Sequence, residues 1–286
     1  MKIFNHLSLL FFTAKRVKMQ KKGGFFMKLG AQLYTVHDYV KNLKDFDESL
    51  KKIADIGYEY VQVSGTCAYP AQWLADTLKK YGLKCCLTHI SEDHLVNATE
   101  YVIENHKTFD CPYIGIGGLA GWWDGKIDIN EVVADFKERF IPVAQKIKDA
   151  GKYFMYHNHH LEFAKLSDGR TAYQALIEDV PADILGFTVD TYWVQKGGCN
   201  PADIIRDLKG RCPVVHFKDF NLERTPEKKD SILAACGDGN LDFAKIAEAC
   251  EYAGTEYAVV EQDDCFGEDP FVCLERSYKY LKSLGL

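Results

Sequence analysis

The sequence predicts a single α/β domain, a (β/α)8 TIM barrel, on three observations: eight short apolar runs, a helical segment after each, and polar residues gathered where the runs end. With 286 residues, 47% of them hydrophobic and 13% aromatic, the chain can bury one large core of the size such barrels have. The expected strands are Lys28–Leu33, Glu59–Val63, Leu83–His89, Pro112–Gly117, Lys152–Asn158, Ile184–Asp190, Pro213–Lys218 and Glu256–Gln262. The clearest helices between them are Asp45–Ile56, Ala71–Tyr81, Ile129–Ala150, Pro201–Leu208, Leu241–Ala253 and Pro270–Leu284. Gly57, Gly82, Gly151 and Gly254 each follow a helix, where a left-handed residue ends it, and Asn200-Pro201 supplies an N-cap and a first-turn proline. Eight βα units favour a closed barrel over an open doubly wound sheet, which carries a glycine-rich phosphate loop after its first strand; no such motif follows here.

Residues 1–26 differ from the rest. An apolar patch from Leu7 to Phe12 is followed by Lys15, Arg16, Lys18, Lys21 and Lys22, the reverse of a secretory signal's order, without a small-residue cleavage site. The patch is too short to span a bilayer. Met27 stands directly before the first strand, so residues 1–26 read as a disordered N-terminal extension, residues 27–286 as the barrel, and the protein as cytoplasmic.

Charge and cysteines remove several function classes. The formal net charge is −6 and the body of the chain has no run of Lys or Arg, which leaves no electrostatic footprint for a nucleic-acid partner, and nothing suggests a membrane partner. The ten cysteines are scattered through apolar segments with no CxxC pair, so they read as reduced core residues rather than a disulfide framework or thiolate zinc site. Homo-oligomerisation stays open.

In such a barrel the site lies at the C-terminal ends of the strands. Strand three ends Leu87-Thr88-His89, strand five in YHNHHLEF at 156–163, strand six in Asp190-Thr191-Tyr192-Trp193, strand seven in His216-Phe217-Lys218-Asp219, and strand eight in Glu261-Gln262-Asp263. Singly, each polar residue has an ordinary explanation: Asp190 as a helix N-cap, His216 as a hydrogen-bonded core histidine, Glu261 as a partner for Lys218. Four adjacent strands delivering such groups to one end imply a shared partner, because a buried carboxylate or imidazole without one is costly. A divalent cation is the simplest, and mixed Asp, Glu and His donors without thiolate suit Mn²⁺, Mg²⁺, Co²⁺ or Zn²⁺.

Across residues 27 to 286 these motifs, YHNHHLEF, Asp190 with Trp193, HFKD at 216–219 and VVEQD at 259–263, resemble the xylose-isomerase-like barrel superfamily, which includes ketose 3-epimerases, inosose dehydratase and endonuclease IV. The resemblance implies a metal held by the end of strand five, Asp190, His216 and Glu261. On strand five the epimerases carry a glutamate that is both ligand and base. Here the corresponding position is His157, with Glu162 five residues later, and this form is closer to the inosose-dehydratase-like branch.

The implied function is metal-dependent proton abstraction next to a carbonyl of a sugar or cyclitol, in carbohydrate metabolism, leading to isomerisation, epimerisation or loss of water or an alcohol. Glu261 is the first candidate for the base, with His157 or His159 as the second acid–base group. Strand alternation turns Lys218 to the same interior side as His216, where it can stabilise an enediolate oxygen. His89, Gln32 and Tyr34 would line the opposite wall and bind hydroxyls, together with Trp193. Trp122-Trp123 is either a sugar-ring platform or a lid packed on itself. The Gly237-Asp238-Gly239 loop reads as a turn. Two other readings compete: a sugar-binding protein that keeps the metal without turnover, and an endonuclease-IV-like repair enzyme, which the acidic balance opposes.

Overall fold

The computed structural model describes residues 27–119, 123, 125–224 and 229–286. Eight parallel strands close into a barrel: β1 (Lys28–Gln32), β2 (Tyr60–Val63), β3 (Lys84–His89), β4 (Tyr113–Ile116), β5 (Tyr153–His157), β6 (Leu185–Asp190), β7 (Val214–Phe217) and β10 (Tyr257–Val260). The missing numbers belong to an antiparallel hairpin, β8 (Asp219–Arg224) and β9 (Lys229–Ala234), inserted after β7. Each barrel strand lies within the expected segment and is shorter by one to three residues, because pairing stops at the barrel rims.

All six clearest helices are present, as α1 (Leu43–Ile56), α2 (Ala71–Tyr81), α5 (Ile129–Asp149), α8 (Pro201–Asp207), α9 (Phe243–Ala253) and α10 (Pro270–Ser283). Shorter helices fill the remaining connections: α3 (Glu92–Asn97) and α4 (Thr99–Thr108) after β3, α6 (Ala172–Asp179) after β5, and α7 (Thr191–Lys196) after β6. Gly57, Gly82 and Gly254 end α1, α2 and α9 at φ of 117°, 69° and 82°, the left-handed conformation a Cβ disfavours. The hairpin was not anticipated: its short alternating segments follow β7 without an intervening helix, breaking the βα rhythm.

The N-terminal end of the lumen is plugged. Cys86, Met155, Val214 and Val259 form an inner cluster covered by Tyr60, Tyr113, Tyr153 and Tyr257, with the Tyr60 and Tyr257 rings meeting edge-on at 5.1 Å. Gly186 makes this layer fit, since a Cβ there would lie 2.4 Å from the Tyr153 ring. With that end filled by apolar and aromatic groups, the polar strand ends collect at the opposite rim. All ten cysteines are free thiols and seven are buried, in keeping with a reduced core. Among the described residues no helix is long and apolar enough to cross a membrane. The extension at residues 1–26 lies outside the described residues.

Candidate metal centre at the barrel mouth

Strand register builds the site. Asp190, last in β6, pairs with His216 on β7, and His216 pairs with Val259 on β10, two residues before Glu261. His157 ends β5 beside Thr188 of β6. Four consecutive strands of the barrel therefore deliver His157, Asp190, His216 and Glu261 to one point. All four are buried, and one donor atom from each lies within 4.8 Å of every other.

The individual contacts show what the cluster lacks. His157 Nε2 is 3.5 Å and His216 Nδ1 3.8 Å from Asp190 Oδ2, and His216 Nδ1 is 2.8 Å from Glu261 Oε2. These are ion-pair approaches without hydrogen-bond alignment: His157 Nε2, Asp190 Oδ2 and His216 Nδ1 are buried with no hydrogen-bond partner. Orphaned donors of this kind are costly, and three converging on one point fit a divalent cation.

The other ends of these groups are fixed. The opposite ring nitrogen of His157, Nδ1, donates to the Gly117 carbonyl at 3.4 Å, and Nε2 of His216 donates to Gln62 Oε1 at 2.7 Å, so His157 Nε2 and His216 Nδ1 are the nitrogens that face the centre, each a ligand atom in the neutral form of its ring. Asp190 accepts from the Trp193 amide through Oδ1 at 2.9 Å, capping α7, and its own amide donates to Asn158 Oδ1 at 3.0 Å. The N-cap and ligand readings of Asp190 thus coexist on its two oxygens.

Lys218 lies one residue past β7, fully buried and on the His216 side of the chain, as alternation required. Its Nζ is 3.5 Å from both Asp190 Oδ2 and Glu261 Oε2 and 2.7 Å from Asp263. Burial works against its charge, but Glu261, Asp190 and Asp263 outweigh that and hold its pKa well above the ordinary lysine value. Burial likewise opposes ionisation of Glu261, yet Lys218 and His216 hold its carboxyl below the usual range. His216, pulled down by burial, is raised by Glu261 and Asp190 to about 9. Burial pushes Asp263 up to about 6 against the pull of Lys218.

Glu162 does not join the cluster. Its Oε1 accepts from the Tyr156 hydroxyl and its Oε2 from the His159 amide, both at 2.9 Å, so it braces the turn after β5, and burial raises its pKa to about 7. His157 is the strand-five member.

Around the centre stand the other candidates. His159 packs edge-on over His157 at 4.7 Å and against Trp193 at 5.3 Å; burial lowers its pKa to about 2, and its Nδ1 has no hydrogen-bond partner. The Trp193 ring lies 5.1 Å from Lys218 Nζ, with its buried Nε1 also without a partner. Trp123 is exposed and meets His159 edge-on at 4.5 Å; Trp122, the other half of the platform-or-lid pair, lies outside the described residues. His89 sits 5.1 Å from His157 and 5.8 Å from His216 across the lumen. Gly117 allows this close approach, since a Cβ there would lie 2.8 Å from His89 Nδ1. Gln32 is buried with an unpartnered Nε2, whereas Tyr34 is exposed at the rim, stacked on His37.

Sequence reasoning passed over Gln62 and Asp263. Gln62 is a lone polar residue between Val61 and Val63, which face the outer core while Gln62 faces the lumen, and that interruption of an apolar strand is the signal that marks it; Asp263 ends the VVEQD motif. Asp219, also in a quoted motif, accepts the amides of Gly237, Gly239 and Leu241 at 3.0, 3.0 and 3.1 Å, which makes the Gly237-Asp238-Gly239 segment a turn pinned by a carboxylate.

This barrel with its buried mixed-donor cluster has known relatives. Residues 50–271 match the family model described as xylose isomerase-like TIM barrel, and the chain belongs to that family. A sugar phosphate isomerase/epimerase from Parabacteroides distasonis superposes over 93% of this chain and 97% of its own, at 19% identity and a TM-score of 0.73. An L-ribulose 3-epimerase does so over 91% and 95%, at 14% identity and 0.69. The IOLI protein, in a structure holding a zinc atom, follows over 90% and 98%, at 15% identity and 0.67. At these identities the likeness is one of fold. Among curated proteins none matches the sequence.

Proposed function

We propose that the chain is a divalent-metal-dependent isomerase or epimerase that abstracts a proton next to a carbonyl of a sugar or cyclitol. The carrying observation is the convergence of three buried, unpartnered donor atoms, on His157, Asp190 and His216, with Glu261 beside them. These four residues would hold the ion, which when bound supplies Lewis-acid stabilisation to oxygens of the substrate. Known relatives of the fold with isomerase or epimerase names, and one with zinc, support the reading.

The chain's own groups divide the remaining work. Lys218 carries a fixed positive charge at the centre, held by Asp263, and offsets negative charge developing on the enediolate oxygen. Glu261 is the first base, and His159, neutral at physiological pH and with an unpartnered Nδ1, is the second acid–base group. Gln32 and Trp193 offer unpartnered N–H donors to hydroxyls, and Trp123 offers a ring face at the mouth. Where the substrate carries a leaving group next to the carbanion, the same abstraction gives a dehydratase or lyase.

The test is a panel of keto-sugars and inososes incubated with the Mn²⁺-loaded protein in D₂O. Deuterium entering the position next to the carbonyl is the expected result. Binding of a sugar with no exchange across the panel would favour a metal-containing sugar-binding protein instead.

A further inference from the structure

Gln62 spans the barrel lumen. It sits on β2 and its side chain is fully buried, yet its Oε1 is 2.7 Å from Nε2 of His216, 154 residues away on β7. Its amide nitrogen is 2.9 Å from Nε2 of His89 on β3, and His89 Nδ1 is in turn 3.3 Å from the Ser64 hydroxyl. The amide has one donating and one accepting end, so the two histidines must present opposite faces to it: His216 carries its proton on Nε2 and His89 accepts on its own. His216 therefore turns Nδ1 toward Asp190 and Glu261, where that atom has no hydrogen-bond partner and is the bare nitrogen whenever the ring is neutral.

We propose that Gln62 is the positioning residue of the metal centre, fixing the ring orientation and tautomer of His216 so that Nδ1 is available as a ligand. The inference rests on the metal reading above. A histidine free to carry its proton on Nδ1 would instead donate to Glu261, 2.8 Å away, and present a proton where the ion should sit. Losing a partner of this kind weakens metal affinity by about 10–100-fold in comparable sites.

The experiment measures Mn²⁺ affinity by EPR of the free ion for the full-length protein, Gln62→Met and Gln62→Glu, with circular dichroism of each in chelator as a check on the fold. Methionine keeps the length and removes the acceptor; glutamate restores an acceptor for His216 Nε2. The expected result is an affinity about 10–100-fold weaker for Gln62→Met and within about threefold of wild type for Gln62→Glu. Equal affinity in Gln62→Met overturns the role of Gln62 alone. Equal weakening in both variants also overturns it, since packing rather than the acceptor would then matter. Wild-type protein that takes up no Mn²⁺ overturns the metal reading and this inference together.

Discussion

Lys218 Nζ and Glu261 Oε2 lie 3.5 Å apart on adjacent strands β7 and β10, both buried, with Asp190 Oδ2 at the same distance from the ammonium. One cation is thus set among carboxylates that a divalent ion would also claim. Replacing Lys218 by Met should leave that negative charge uncompensated, at a cost of about 3–5 kcal/mol in chelator. Divalent metal should recover part of the loss. Thermal melts with EDTA and with Mn²⁺ check this: a variant as stable as wild type in EDTA would show that Lys218 does not balance the cluster.

Glu261→Gln keeps an oxygen donor and removes the base. Metal content should fall only in part while turnover drops by about 10²-fold or more. Metal analysis beside single-turnover rates on a verified substrate separates the two effects. Near-normal turnover would leave Glu261 as a ligand only and move the test to His159.

Asp190→Asn retains an oxygen to cap α7 through the Trp193 amide but loses the anionic donor at the centre. The fold should survive, with an unfolding free energy within about 2 kcal/mol of wild type, the scale of an N-cap contribution. Metal and activity should vanish together. Retention of stoichiometric metal in this variant would remove Asp190 from the ligand set.

His216, raised from 6.5 to about 9 by Glu261 and Asp190 against the effect of burial, ties metal binding to pH. A folded-state pKa above the unfolded one stabilises the metal-free protein fully below pH 6.5, and that contribution fades as pH rises through 9. The ion must displace the same proton, so apparent Mn²⁺ affinity should climb by roughly tenfold per pH unit up to about 9 and then level off. Titrations between pH 6 and 10, with metal-free melts alongside, measure both slopes; an affinity flat in pH would contradict the assignment.

A chain beginning at Met27 should fold with an unchanged melting temperature. Met27 is buried against the barrel and the Lys28 amide already pairs with the Glu256 carbonyl, so the first strand is tied down from its start. Loss of soluble expression or a large fall in melting temperature would show that residues 1–26 belong to the domain.

What the sequence determined by itself follows from local periodicity. Strand and helix repeats, helix-ending glycines and the N-cap at Asn200 are set by neighbours a few residues away, and they were enough for eight βα units and hence the barrel. The same alternation put His216 and Lys218 on one side of β7, and the strand ends named Asp190, His216 and Glu261. The hairpin after β7 escaped because its segments are short and obey neither the preceding rhythm nor a clear turn motif.

Tertiary structure decided the rest, because the remaining choices depend on which groups meet once the barrel closes. His157 rather than Glu162 joins the centre since the turn after β5 folds back and both Glu162 oxygens are taken by Tyr156 and His159. Which nitrogen of His216 faces the centre is settled by Gln62, from a strand on the far side of the lumen. The charges brought together by closure then set the protonation states, overriding burial at Lys218, Glu261 and His216, whereas burial prevails at His159 and Glu162.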